Sequence, residues 1–230
     1  MPAVVRNRPQ LSKLGKAKIE STIEGRQVNL QRQPLLLFAF LLLALMPALA
    51  QAPAPQTTTV DPVLLAKASA GEVSAQLQVG DAYAAGSGIA REPRQLAADC
   101  KQAAEWYRKA ADQGSIVAQV HLADLYRDGR GVGRDMAQAI AWYRKAAEVG
   151  DAGAQGTLGM LYSVGMGVER NDVEAYYWLC LAAAAKGPNQ TKYLANRQSV
   201  GEHITTDQQA AVEDRVAAWR TAHPRANAPE

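Results

Sequence analysis

The sequence predicts an all-α fold, a solenoid of antiparallel helix pairs, and three observations carry that prediction. A stretch of about 36 residues occurs three times along the chain. Each copy breaks in the middle at a Gly-x-Gly or glycine-rich turn and closes on another glycine. The composition between those glycines is dominated by alanine with few β-branched runs, which favours helix. Self-similarity at such a period marks units that cannot bury their own apolar faces and must stack on their neighbours.

The register is set by the second and third copies. Tyr126 and Tyr162, Gly129 and Gly165, Gly131 and Gly167, Val132 and Val168, Ala139 and Ala175, and Trp142 and Trp178 all stand 36 positions apart. The front half of the first copy leads by 43 (Tyr83 to Tyr126), and its back half by 36 (Trp106 to Trp142). Seven extra residues therefore fall between Ile89 and Asp99, around Arg91–Arg94, and are read as a loop insertion.

Each copy reads as two helices. The first carries apolar residues at helical spacing, as in Ala118, Leu122, Ala123, Leu125 and Tyr126. It stops at the glycines, where the backbone can enter angles that a Cβ resists. The second helix opens on Asp99, Asp135 or Asn171, each followed three residues later by Gln102, Gln138 or Glu174. That is the spacing of a reciprocal capping box. The small residues Ala75, Ala118 and Ala154, with Gly80, Ala123 and Gly159, permit close helix approach. The rows Tyr83/Tyr126/Tyr162 and Trp106/Trp142/Trp178 fill the space between.

The two ends read as caps. Asp61–Gly71 resembles the last turns of a second helix, with Ala68 and Gly71 in the places of Ala111 and Gly114. Asn189–His203 should form one helix, and Thr205 with Gln208 should cap another running to about Ala222. The expected plan is a leader over 1–50, a linker over 51–60 and a solenoid over 61–187. Its repeats span about 71–114, 115–150 and 151–187, with a helical cap over 188–223 and a tail over 224–230.

Residues 34–50 form the long apolar run, with a core from Leu35 to Leu45, Pro47, and small residues at Ala48 and Ala50. This order is that of a secretory signal cleaved after Ala50; the alternative is an uncleaved anchor over 34–50. Seventeen helical residues would span about 25 Å, less than a bilayer core of ~30 Å. Periplasmic or secreted location is the expectation. The 33 residues ahead of the run are long for a signal's basic region, which suggests that translation starts near Val28. They hold seven Lys/Arg against two Glu, leaving 18 basic and 20 acidic residues in the rest of the chain. The basic surface that nucleic acid requires is therefore not expected on the folded domain.

Little in the sequence suggests chemistry. Cys100 and Cys180 occupy non-equivalent positions in different copies and are expected to stay unpaired. His121, His203 and His223 share no spacing, so no metal site is expected. The glycines of Gly129–Gly133 recur with the repeat and are explained by turning rather than by phosphate binding. No nucleophile with an activating base is found, and no cofactor is expected.

With these residues in view, the chain resembles the Sel-one-like repeat family, within the tetratricopeptide-like superfamily. The start of the family's motif is matched by Ala118, Leu122-Ala123, Tyr126, Gly129, Gly131-Val132, and its finish by Ala139, Trp142-Tyr143, Ala146-Ala147 and Gly150. Ala123 stands where the family has glycine, and Leu179 where it has a second aromatic. The resemblance covers about residues 71–187 and implies a non-catalytic adaptor for a protein or peptide partner. In related solenoids the first helices line the concave face. The positions expected to point inward are Ser74, Leu77, Asp81 and Ala84, then Val117, Val120, Asp124 and Arg127, then Gly153, Gly156, Met160 and Ser163. Leu77, Asp81, Val120, Asp124, Arg127 and Met160 are the candidate partner-binding residues. Two further readings stay open: a structural or glycan-binding envelope protein, and a cell-wall or β-lactam hydrolase.

Overall fold

A computed structural model describes residues 59–86 and 93–224, which hold nine α-helices and no strand. They are α1 (Pro62–Ser69), α2 (Val73–Gly86), α3 (Pro93–Asp112), α4 (Ile116–Asp128), α5 (Met136–Glu148), α6 (Ala152–Val164), α7 (Asp172–Ala184), α8 (Gln190–Gly201) and α9 (Thr206–Ala222). The leader and linker up to residue 58 and the tail from 225 lie outside the described residues. Each helix from α1 to α8 packs on its neighbours in the chain, and α9 lies on α7. The pairs α2–α3, α4–α5 and α6–α7 are the three repeats.

Alanine makes the stacking close. Ala103, Ala110, Ala118, Ala123, Ala139, Ala146, Ala154 and Ala175 are fully buried, and larger Leu122, Tyr143, Leu158 and Leu179 fill the spaces among them. Trp106, Trp142 and Trp178 are all buried, at 8%, 7% and 6% exposure, so the repeated tryptophan is a packing residue. The ammonium groups of Lys109 and Lys145 sit 3.7 and 3.8 Å from the Trp106 and Trp142 ring centroids, covering their outer faces.

The two glycines of the Gly-x-Gly turn do different work. Gly129 and Gly165 end α4 and α6 in the left-handed conformation, at φ 70° and 72°. Gly131 and Gly167 are also left-handed, but each additionally lies against the second helix of the preceding repeat. A Cβ on Gly131 would stand 2.1 Å from the Cys100 carbonyl carbon, and one on Gly167 would stand 2.6 Å from Met136 Cβ. Cys100 and Met136 are themselves 36 apart, so the second glycine is where one unit's turn seats on the unit before.

A row of buried glutamines ties the units together as well. Gln76, Gln119 and Gln155 donate through Nε2 to the carbonyls of Ala68, Ala111 and Ala147, at 3.1, 3.3 and 3.0 Å. Each adds a second donor to a terminal carbonyl of the preceding second helix, which already accepts the amide of Gly71, Gly114 or Gly150. The bond to Ala68 places α1 as the second helix of a unit ahead of the first repeat, in the manner expected from Ala68 and Gly71.

Two expectations about caps are corrected. Asp99 does not cap a helix, because α3 already begins at Pro93 and Asp99 lies 2% exposed within it. Proline suits the first helical position, and Arg94–Ala98 holds no helix breaker, so the end of the insertion is helical rather than loop. Gln95 Nε2 donates to Asp99 Oδ1 at 2.7 Å, one turn along. Asp135 and Asn171 do cap α5 and α7, accepting from the Gln138 and Glu174 amides at 3.0 Å each. Their own amides bond the carbonyls of Tyr126 and Tyr162 across the turn, at 2.9 and 3.0 Å, rather than completing a box. Thr205 and Gln208 form the full reciprocal box at the start of α9.

The last pair closes the solenoid. Helix α7 is buried almost all round, from Ala175 to Ala183. That matches its lack of a polar stripe, since α6 covers one side and α8 and α9 cover others. Val212 and Val216 are buried and Trp219 packs beside them, stacked at 4.4 Å on His223.

Candidate functional site

The first helices, α2, α4 and α6, carry exposed side chains that differ between units. Equivalent positions form rows across them: Asp81, Asp124 and Met160 in one, Ala85, Asp128 and Val164 in a second, Ala84, Arg127 and Ser163 in a third.

The first row is built from below. In the first repeat the Tyr107 hydroxyl, from α3, donates to Asp81 Oδ1 at 2.9 Å. In the second, the Tyr143 hydroxyl, from α5, donates to Asp124 Oδ1. Both tyrosines are largely buried, and both phenol pKa values are pushed up, by burial first and by the carboxylate partner second. They stay protonated donors throughout the physiological range. In the third repeat both members of the pair change together, to Leu179 and Met160.

Cations lie beside the two carboxylates. Arg127 pairs with Asp124 at 2.8 Å and with Asp128 at 2.8 Å, and donates to the Tyr143 hydroxyl at 2.8 Å. The hydrogen bond from Arg127 is the main reason that the Asp128 carboxyl is held below its usual range. His121 Nε2 lies 3.9 Å from Asp81 Oδ1, and its ring sits 5.1 Å from that of Tyr107. Since His121 is on α4 and Asp81 on α2, this contact joins adjacent first helices.

The six sequence-predicted residues therefore fall in two groups. Asp81, Asp124, Arg127 and Met160 present at least a third of their side chains or surface to solvent. Leu77 and Val120 are half-buried and pack on the core. Gly156 was expected to line a groove, and this is corrected: it is buried under Tyr193 of α8, whose ring would meet a Cβ there at 2.2 Å. The hydroxyls of Tyr107 and Tyr143 position the acids, a role that the sequence alone did not assign to them. The signal was present, since tyrosine at 107 and 143 coincides with aspartate at 81 and 124 and both are lost in the third copy.

A depression of about 750 Å³ lies elsewhere, lined by Tyr176 of α7, Arg197 and Glu202 near the end of α8, and Gln209 of α9. Gln209 Nε2 is engaged with the Gly201 carbonyl at 2.8 Å, and these residues do not recur in other units. Cys100 and Cys180 are buried free thiols in different repeats. Among the described residues no group of three or more His, Cys, Asp or Glu is placed to hold a metal ion. No described helix is long and apolar enough to cross a membrane.

This stack of helix pairs defines an α-solenoid of short helical repeats. The Sel1 repeat model matches residues 73–115, 116–151 and 152–186, and the chain belongs to the Sel1 repeat family. Among solved structures it is similar to a protective antigen of uropathogenic Escherichia coli displaying an SLR fold, at 27% identity and a TM-score of 0.52. That match covers 80% of this chain and 45% of the antigen, so the chain spans less than half of that protein's length. It is also similar to a Sel1 repeat protein from Oxalobacter formigenes, at 34% identity and a TM-score of 0.48, over 58% of this chain and 96% of that one. No curated protein matches. Proteins of this family serve in general as protein-interaction scaffolds.

Proposed function

We propose that this chain is a non-catalytic scaffold exported to the bacterial envelope, where it holds a protein partner on the face formed by α2, α4 and α6. The observation that carries the reading is the division of labour within each repeat. Alanine, tryptophan and glutamine positions recur because packing needs them, while the row Asp81, Asp124, Met160 stays outward and changes from aspartate to methionine in the third unit. A side chain freed from packing and held by a buried tyrosine is suited to meeting a partner. Export rests on the order of basic segment, apolar run and small residues up to Ala50.

The test is a pull-down from the periplasm with a C-terminal tag, comparing the natural chain with D81N/D124N/R127Q. The expected result is a processed chain beginning at Gln51 that captures a protein, with capture reduced in the triple variant while its helical signal and melting stay intact. Equal capture by a well-folded triple variant refutes the face. A chain retained in the cytoplasm at full length refutes export.

A further inference from the structure

The repeat is incomplete at both ends of the stack, and the two deficits are opposite. At the N-terminal end α1 holds the place of a second helix, and among the described residues no first helix is paired with it. Since Ala68 stands in the place of Ala111, Val63 stands in that of Trp106 and Leu64 in that of Tyr107. Trp106 is 8% exposed and clusters with Ala75 and Val79 of its own first helix. Val63, with no such helix to cover it, is 64% exposed.

The C-terminal end has the other half of a pair. Gln190 Nε2 donates to the Ala183 carbonyl at 3.2 Å, and Ala183 stands 36 after Ala147. Helix α8 therefore extends the glutamine row and holds the place of a first helix in a fourth unit. A second helix would follow and pack on it, as α3 packs on α2, but α9 lies on α7 instead. Four residues after the glutamine of their repeats, Gly80 lies under Tyr107 and Gly159 under Leu179, each covered by its own second helix. The same step from Gln190 reaches Leu194, which is 40% exposed. Leu194 lines the depression of about 750 Å³, together with Thr191, Ala195 and Gln198 from the same side of α8. The depression is thus on the side of α8 where the repeat would seat a second helix.

We propose that α1 of one copy of this chain seats in the α8 depression of another, so that two molecules complete one helix pair between them. A helix of eight residues is ~12 Å long and ~10 Å across, a cylinder of roughly 900 Å³. An open depression of about 750 Å³ takes most of such a helix. The contact brings the exposed Val63 against Leu194 and Ala195, removing apolar surface from water at both ends. It is heterologous, joining the head of one copy to the tail of the next, and so leaves a free end on each side for further copies. One short helix covers less than the ~800 Å² per partner of a standard interface, so association is weak and rises with concentration. This goes beyond the scaffold reading and does not depend on it.

The experiment uses the chain as the cell produces it. Sedimentation from about 10 μM to about 1 mM should show an average mass that climbs with concentration and passes that of a dimer. V63D and L194D, both at exposed sites, should each weaken self-association at least about tenfold, with melting curves unchanged. An equimolar mixture of the two variants should form a one-to-one dimer and nothing larger. The intact α1 of the L194D chain then meets the intact α8 of the V63D chain, and the other two ends are blocked. In the natural chain, a photo-crosslinker at position 63 should label α8 of a second, isotope-marked copy.

A natural chain that stays monomeric at about 1 mM overturns the proposal. Self-association that survives either substitution overturns it as well, since a symmetric contact needs only one of the two sites. A mixture of the variants that stays monomeric, or label confined to the same chain or to helices other than α8, has the same consequence.

Discussion

Substituting alanine at the three glycines of the second turn separates turning from seating. At Gly133 a Cβ would meet nothing within 4 Å. G133A should leave stability unchanged or raise it by about 0.4–1 kcal/mol through the unfolded chain. Gly129 has φ 70°, and its Cβ would stand 3.1 Å from Arg134 Cβ, a tight but yielding contact. The left-handed backbone alone should cost G129A ~1–2 kcal/mol. Gly131 has the same φ, but its Cβ would stand 2.1, 2.3 and 2.4 Å from the backbone of Cys100 and Lys101. Backbone within a helix does not rotate away, so α3 must shift. Overpacking of that kind adds ~1–3 kcal/mol, bringing G131A to ~2–5 kcal/mol. Denaturant unfolding followed by far-ultraviolet circular dichroism, with the slope checked for constancy, measures all three. The order must be G131A above G129A above G133A. If G131A costs no more than G129A, the second glycine serves the turn only, and the seating of one repeat on the next is wrong.

Three other outcomes follow from the same geometry. Gln76 Oε1 accepts from Gln113 at 2.8 Å, whereas the equivalent of Gln113 in the second repeat is Val149, and Gln119 Oε1 is buried without a partner among the described residues. V149Q, at a half-exposed site, should therefore stabilise by about 0.5–1.5 kcal/mol in thermal melts, and a destabilised variant would refute the pairing. Q155L removes one of two donors to the Ala147 carbonyl, the Gly150 amide remaining, and should cost ~0.5–1.5 kcal/mol by the same assay. Burial raises the pKa of Tyr107, Tyr143, Tyr176, Tyr177 and Tyr193 above the ordinary 10.0 and that of Cys180 above 9.0. The folded state holds these protons more tightly than the unfolded state, so the stability they contribute is complete below about pH 9 and lost as pH rises beyond it. The melting temperature should fall steeply on the alkaline side and less steeply in Y143F; a flat profile would contradict the burial of these groups.

The repeat made most of the fold legible, because each packing rule is stated three times in one chain. Tryptophan, alanine and first-glycine positions could be assigned from spacing, and the caps at Asp135, Asn171 and Thr205 from local chemistry. What spacing could not show is where a side chain finds its partner in another unit. Asp99 looked like a cap because it stands 36 before Asp135, but the insertion had already carried the helix start back to Pro93. Gln138 and Glu174 sat at box spacing, yet the Tyr126 and Tyr162 carbonyls reached the cap amides first. The buried glutamines were visible as a repeated letter, and only the packing of consecutive helices revealed the carbonyls they serve. Gly156 looked like open groove because the sequence says nothing of how far Tyr193 reaches back over α6.

The linkage between packing and surface is the less expected result. In a solenoid the outward residues are usually free to change without consequence for the core. Here Asp81 and Asp124 are tied to it through Tyr107 and Tyr143, each tyrosine largely buried and its hydroxyl bonded outward. Removing the acid leaves a phenol without its acceptor, and removing the phenol frees the carboxylate to move. The two positions must therefore change as a pair, from Tyr with Asp to Leu with Met, as they do between the second and third repeats. The change from aspartate to methionine on this face accordingly falls between whole units.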